Sequence, residues 1–374
     1  MRNTLFFSKL IRCIFVIGFL FGLLLFLSNI SNNLTHSSSL TLDQFPKLGS
    51  TPLTAMPISL KVQLQASMNS SQQADYSTAG VSDSLLHQDH INSSFNISQE
   101  INNISSQKVT VGDIVINYKI LGNGEPILLI SGSGNVMDVW PNHFLQELSK
   151  QHKVIIFDNR GVGNTTSGIN QFSVDQFSND TAGLLKALDI KKADVLGFSM
   201  GSFVAQKVAL DHPEKISKLI LYGASCGGQE GFPQDPNVVQ TLSNFVNNKT
   251  NNISSFLEVT FPDKWMKENP NFLDTIPKTS EIISPLTIKK QFEINERWLS
   301  KDWSGVCDLL KTVTIPTLVL TGTEDQAVPA KNSLVITEKI PGAWLVQVKG
   351  AGHGLMYQYP ELFANIIQTF LNSS

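Results

Sequence analysis

Three short segments carry residue types that together can open an acyl bond. Gly197-Phe198-Ser199-Met200-Gly201 sets a serine between two glycines, Thr323-Glu324-Asp325 offers a carboxylate, and Gly350-Ala351-Gly352-His353-Gly354 offers an imidazole. A serine hydroxyl is a weak nucleophile until a base takes its proton, and a carboxylate on the base's second nitrogen fixes its tautomer. Elimination points to His353 as the base. His36, His87 and His90 lie in a polar N-terminal stretch, His143 and His152 flank an early helix, and His212 sits at the far end of the helix after Ser199. That end is about three turns from the serine.

Each segment follows a run that can deliver it. Ala193-Asp194-Val195-Leu196 is β-rich and apolar, and Ser202 to Leu210 places Phe203, Val204, Val208 and Leu210 at helical spacing. Strand, sharp turn, helix is the context a nucleophile elbow needs. The turn puts Ser199 in a strained backbone conformation, Gly197 and Gly201 let strand and helix approach, and the Met200 N–H points where a carbonyl oxygen becomes negative. Pro316 to Gly322 is a buried strand ending at the acidic segment, and Ala343 to Val348 a last strand ending at His353.

The rest of the body alternates likewise. Lys108 to Leu121 reads as a hairpin about Gly112-Asp113. Pro126 to Ile130 is a strand buried on both faces. It ends in Ser131-Gly132-Ser133-Gly134-Asn135, where Ser133 is the candidate second oxyanion donor. Val136, Met137 and Trp140 follow and are expected beside the substrate pocket. A helix over Pro141 to Lys150 and a strand over Val154 to Phe157 lead to Asp158-Asn159-Arg160-Gly161-Val162-Gly163, a loop expected to be braced by a charge-assisted pair of Asp158 and Arg160. A helix over Phe172 to Leu188, capped near Ser173, precedes the elbow, and Ile216 to Tyr222 is a further strand.

In this order, strand, Ser-Gly-Ser-Gly, helix, strand, Asp-x-Arg-Gly-x-Gly, helix, Gly-Phe-Ser-Met-Gly-Ser, helix, His-Pro-Glu, the chain resembles the α/β-hydrolase fold superfamily, and most of all its esterase, lactonase and cofactor-free haloperoxidase-like branch. The likeness covers Lys108 to the C-terminus. It implies a mostly parallel eight-stranded sheet flanked by helices, with a helical cap inserted after the sixth strand at about 227–313. It also implies the order serine, acid, histidine, and selects Asp325 rather than Glu324 as the acid. One departure is Ser131-Gly132, where many relatives carry His-Gly; the group donated there is a backbone N–H. Serine at the elbow argues against the dehalogenase and epoxide-hydrolase branches, which use aspartate. Aromatic residues are frequent in the insertion, from Phe245 to Trp303, and no cluster of Arg or Lys there suggests an anionic substrate.

The 374 residues carry a net charge of −3 and no basic stretch that suggests nucleic acid. The three cysteines, Cys13, Cys226 and Cys307, match no zinc pattern and no disulfide framework; buried free thiols are the preferred reading for Cys226 and Cys307, with a Cys226–Cys307 pair as the alternative for an exported protein. Arg2, Lys9 and Arg12 precede an apolar run from Cys13 to Leu27 with no small-x-small cleavage site after it. This favours an uncleaved membrane anchor within residues 1–30 over a removed signal, with the body outside the cytoplasm; a secreted protein is the alternative. Residues 31–106 are rich in Ser, Asn, Gln and Thr without hydrophobic period and read as a disordered stalk, with sequons at Asn33, Asn69, Asn92, Asn96 and Asn103. The hydrolase domain is expected over 107–374.

The expected activity is hydrolysis of a small or medium, largely apolar ester, lactone or thioester through an acyl-enzyme on Ser199, without metal or organic cofactor. Peptidase, carbon–carbon hydrolase and perhydrolase chemistry share the same three residues, and a non-catalytic ligand-binding protein on this fold is the remaining alternative. The partners expected are a small-molecule substrate and a membrane, and no nucleic acid; the sequence gives no oligomeric state.

Overall fold

A computed structural model describes residues 104–247, 253–276 and 283–373. The expected anchor and stalk lie outside them. Among the described residues no helix is long and apolar enough to cross a membrane.

Eight strands form one sheet: β1 (Gln107–Val111), β2 (Ile114–Leu121), β3 (Glu125–Ile130), β4 (His152–Phe157), β5 (Ala193–Phe198), β6 (Ile216–Tyr222), β7 (Thr317–Gly322) and β8 (Trp344–Val348). Their order is β1-β2-β4-β3-β5-β6-β7-β8. The β1–β2 and β2–β4 pairs are antiparallel and every other pair is parallel. The central strands are apolar without alternation because both faces are covered. In β3, Leu128 and Ile130 face one core while Ile127 and Leu129 face the other.

Helices α1 (Asn142–Ser149), α2 (Val174–Ala187) and α3 (Met200–Asp211) follow β3, β4 and β5. α2 begins where Ser173 accepts a hydrogen bond from the Gln176 N–H at 3.1 Å, satisfying one of the donors a helix start leaves free. Phe177 and Leu184 of α2 and Phe203, Val204 and Val208 of α3 bury against one face of the sheet. Phe144, Leu145 and Leu148 of α1 bury against the other.

Between β6 and β7 lie α4 (Pro236–Val246), α5 (Ile253–Thr260), α6 (Asp263–Glu268) and α7 (Pro285–Leu299). Their entry and exit are fastened together. The Val306 N–H donates to the Cys226 carbonyl at 2.9 Å, and a side chain on Gly228 would sit 2.2 Å from the Gly305 nitrogen. Cys226 and Cys307 form a disulfide there, which corrects the expectation of free thiols. Their Cα atoms stand 4.9 Å apart, within bridging range. Spacing along the chain carries no trace of that proximity, because folding the insertion back on itself creates it.

After β7 come α8 (Lys331–Lys339), then β8, the single turn α9 (Leu355–Gln358) and α10 (Pro360–Leu371). α10 packs beside α1, with the Phe144 and Phe363 rings 4.9 Å apart.

Candidate active site

The turn from β5 into α3 holds Ser199 at φ 55°, ψ −122°, in the left-handed half of backbone space that β-carbon sterics oppose. The strain is held by fit on both sides. The Ser199 N–H donates to the Tyr222 carbonyl at 2.9 Å, and the Ser202 hydroxyl donates to the Ser199 carbonyl at 2.6 Å. A β-carbon on Gly197 would fall 2.2 Å from the Gly201 carbonyl oxygen, and one on Gly201 would fall 2.1 Å from the Ile130 carbonyl oxygen. Neither position admits a side chain, so the two glycines of the motif are required by contact.

Across the sheet ends, His353 and Asp325 pair through Nδ1 and Oδ2 at 2.8 Å. The other Asp325 oxygen accepts the Val328 N–H at 2.8 Å. Both side chains are nearly closed to solvent, at 0 % for Asp325 and 7 % for His353, whereas the neighbouring Glu324 is exposed. Two residues absent from the sequence expectations frame the pair. The buried Tyr222 hydroxyl donates to the His353 carbonyl. Gly223, at φ 59°, leaves the space the imidazole fills: a β-carbon there would meet His353 Cε1 at 2.9 Å. Phe198, the residue before the serine, stacks on Tyr222 at 4.7 Å and lies 4.9 Å from the His353 ring.

Ser133 and Met200 also meet, the Ser133 hydroxyl lying 3.2 Å from the Met200 sulfur. The loop bearing Ser133 is braced from β4: the Asn159 amide donates to the Ser131 carbonyl at 3.2 Å. It is braced from the insertion too, where Gln291 Oε1 accepts the Gly134 N–H at 2.7 Å and the Asn295 amide donates to the Ser133 hydroxyl at 2.8 Å.

Ser133, Ser199 and His353 share the wall of one cavity, roughly 910 Å³ counted with its open mouth. The insertion supplies Val239, Phe256, Phe292 and Leu299 to that wall, so the cavity is largely apolar. Among the described residues, Glu296 is the one Asp, Glu, Lys or Arg on that wall.

Val136, Met137 and Trp140 are not on that wall, and the expectation for them is corrected. Val136 packs with Val162 and Ile283. Met137 and the fully buried Trp140 enter the core under α1, the Trp140 ring 6.1 Å from Phe144. Val139 reaches the cavity instead. Met137–Val139 form a 3-10 turn, whose residues step around the axis by about a third of a turn, so neighbours in sequence face different ways.

The Asp158–Arg160 pair is corrected as well. Arg160 is wholly buried and forks between Asp180, at 2.7 and 2.8 Å, and Asp113, at 2.7 and 3.0 Å. The Arg160 hydrogen bond holds the Asp113 carboxyl far below the ordinary carboxylate range. Asp158 accepts from the Asn117 amide and the Met137 N–H, at 2.9 and 2.8 Å, while burial pushes its carboxyl up. Both residues brace the loop, through different partners. Among the described residues no group of three or more His, Cys, Asp or Glu is placed to hold a metal ion.

Comparison with known proteins agrees with this architecture. The family model described as alpha/beta hydrolase fold matches residues 125–360. A protein of Azorhizobium caulinodans assigned as a carbamate hydrolase is 24% identical over 69% of this chain and 96% of its own length. The 2-hydroxymuconate semialdehyde hydrolase of Pseudomonas sp. (strain CF600) is 26% identical over 71% of this chain and 93% of its own. Among solved structures, an alpha/beta hydrolase fold protein from Chitinophaga pinensis matches at TM-score 0.61 and 26% identity, covering 73% of this chain and 98% of that one.

Proposed function

Since the chain is a hydrolase belonging to the alpha/beta hydrolase fold family, we propose that it cleaves a small or medium, largely apolar ester, lactone or thioester through an acyl-enzyme on Ser199. The observation that carries this reading is the His353–Asp325 pair at 2.8 Å, with His353 on the wall of the cavity that also holds the strained Ser199.

In this reading the Ser199 hydroxyl attacks the substrate carbonyl carbon and gives its proton to His353 Nε2. Asp325 keeps the other nitrogen protonated and stabilises the imidazolium. The carbonyl oxygen gains the negative charge and accepts the N–H groups of Met200 and Ser133. The C–O or C–S bond breaks as His353 returns the proton to the leaving group. Water, deprotonated by the same imidazole, then releases the acid and restores Ser199. The apolar wall supports an uncharged acyl group.

The likeness to the 2-hydroxymuconate semialdehyde hydrolase favours carbon–carbon hydrolysis as the second reading. The wall weighs against it. Glu296 and no Lys or Arg among the described residues face the cavity, which suits an anionic dienoate poorly.

The same reading places the catalytic domain outside the cytoplasm, held by the apolar run Cys13–Leu27 behind its three basic residues. The Cys226–Cys307 disulfide supports that compartment, since such bonds persist where the surroundings oxidise. Alkaline carbonate extraction of membranes checks it: retention in the pellet supports an anchor, and full release supports secretion.

The activity is tested with p-nitrophenyl esters from acetate to laurate, comparing the full chain with Ser199→Ala. The reading expects turnover that the variant loses, with an optimum at medium chain length. Turnover that survives in the variant overturns it.

A further inference from the structure

α7 carries two amide side chains one turn apart, Gln291 and Asn295, on the side that meets the Ser133 loop. Residues four apart on a helix stand one above the other, so the two amides act on successive parts of that loop. Gln291 is completely buried. Its Oε1 captures the Gly134 N–H at 2.7 Å. Asn295 donates to the Ser133 hydroxyl at 2.8 Å, and that hydroxyl in turn rests 3.2 Å from the Met200 sulfur. The Asn135 amide closes the other side of Ser133, donating to its carbonyl at 3.2 Å. Ser133 is thereby gripped at its side chain, at its carbonyl and at the peptide that follows it.

These amides stand where apolar residues are cheaper. Among the described residues, Gln291 Nε2 and Asn295 Oδ1 have no hydrogen-bond partner, and burying an unpaired polar atom costs free energy. A helix needing only to pack would bear Leu or Met here, as it bears Phe292, Ile294 and Trp298 beside them. The same helix faces the cavity through Phe292, Asn295 and Leu299. It therefore touches the space a substrate occupies and the loop that would hold the oxyanion. The insertion also reaches the histidine loop, where the Thr260 carbonyl accepts the Gly354 N–H at 3.0 Å.

We propose that Gln291 and Asn295 are positioning residues through which the α7 helix sets the aim of the Ser133 N–H at the transition state. The inference rests on the acyl-enzyme reading above. Neither residue performs a chemical step. Gln291 fixes the Ser133–Gly134 peptide and Asn295 the Ser133 side chain; with both held, the Ser133 Cα is fixed, and its own N–H, in the peptide before, keeps the direction an oxyanion needs. Donors of this kind contribute only when aimed at the developing charge rather than at the ground-state carbonyl.

The test uses the full chain and the p-nitrophenyl ester that the parent turns over fastest. Variants are Gln291→Met, Asn295→Leu, the acceptor-retaining Gln291→Glu, and Glu293→Gln as a solvent-facing control on the same helix. A boronic acid, which forms a tetrahedral adduct on an active serine, reports transition-state binding. Gln291→Met and Asn295→Leu are expected to lower kcat about 10- to 100-fold with KM held within about threefold. Boronate affinity should fall by the same factor as kcat/KM, Gln291→Glu should recover most of the loss, and Glu293→Gln should match the parent. An unchanged kcat, or a loss seen in melting temperature and KM while boronate affinity stays at the parent value, overturns the inference. Should Gln291→Met fail to fold, Asn295→Leu, at a less buried position, carries the same comparison. A parent without serine-dependent turnover sinks the acyl-enzyme reading and this inference with it; an active parent with parent-like variants sinks the inference alone.

Discussion

His353 Nδ1 and Asp325 Oδ2 lie 2.8 Å apart in a space that Gly223 leaves open behind them. The pair depends on both conditions. Asp325 is held by the Val328 N–H, His353 by the Tyr222 hydroxyl, and a single added methyl at Gly223 would occupy the imidazole's place. Asp325→Asn is isosteric and keeps the packing while favouring the wrong imidazole tautomer. It is expected to lower kcat by about 10³- to 10⁴-fold with the melting temperature nearly unchanged. Steady-state kinetics beside a thermal melt checks this. A kcat within tenfold of the parent would assign Asp325 a structural role.

Among the described residues, Arg160 is the cation that pairs with both Asp113 and Asp180, and its side chain has no exposed surface. Arg160→Met leaves two carboxylates without their partner. Breaking a buried ion pair from one side costs about 3–5 kcal/mol. Urea denaturation should show a loss of that order, and a loss below about 1 kcal/mol would mean the carboxylates find other partners.

The disulfide closes a loop with a sequence separation of 81 residues that contains α4 to α7. Loop-closure entropy for that length gives about 4 kcal/mol of stabilisation. Cys226→Ser with Cys307→Ser should lower the melting temperature clearly, and a reducing agent should do the same to the parent alone. Equal melting temperatures with and without reductant would show that the bond contributes nothing.

Burial pushes the Asp194 carboxyl up to about 6 from its ordinary 3.8, against the pull of Lys218. The folded state therefore holds a proton that the unfolded chain releases, and the parent loses stability as pH rises from 3.8 to about 6. Asp194→Asn removes that dependence. Its lead over the parent should grow across this window and level off above it at up to about 3 kcal/mol, less for solvent screening at this partly buried site. Melts at pH 4 and pH 8 compare the two. A difference that is the same at both pH values contradicts the account.

The sheet and the segments at its ends were legible because each is encoded locally. Val154 to Phe157 and Thr317 to Leu320 are short apolar runs rich in β-branched residues, which read as strands covered on both faces, and Gly197 and Gly201 mark a close approach that the contacts of their would-be β-carbons bear out. What escaped depends on distant parts of the chain meeting. Gln291 lies 157 residues from the Gly134 N–H it accepts, and amides on a mixed helix carry no mark of a partner that far off. Cys226 and Cys307 are likewise brought together only by the fold of the insertion. Gly223 carries no mark in the sequence beyond following a strand, and its need for φ 59° beside an imidazole appears only with His353 in place. Val136, Met137 and Trp140 miss the cavity for a local reason: the 3-10 turn Met137–Val139, with Val136 and Trp140 extended on either side, presents Val139 to it instead.

Covalent labelling of the full chain with a fluorophosphonate, read by peptide mass spectrometry, tests the central claim most directly. An activated serine should give one adduct, on the peptide carrying Ser199. That adduct should vanish in Ser199→Ala and form far more slowly in His353→Ala, because the imidazole is what makes the hydroxyl nucleophilic. No adduct, or labelling at Ser199 that keeps its rate without His353, would contradict the proposed mechanism.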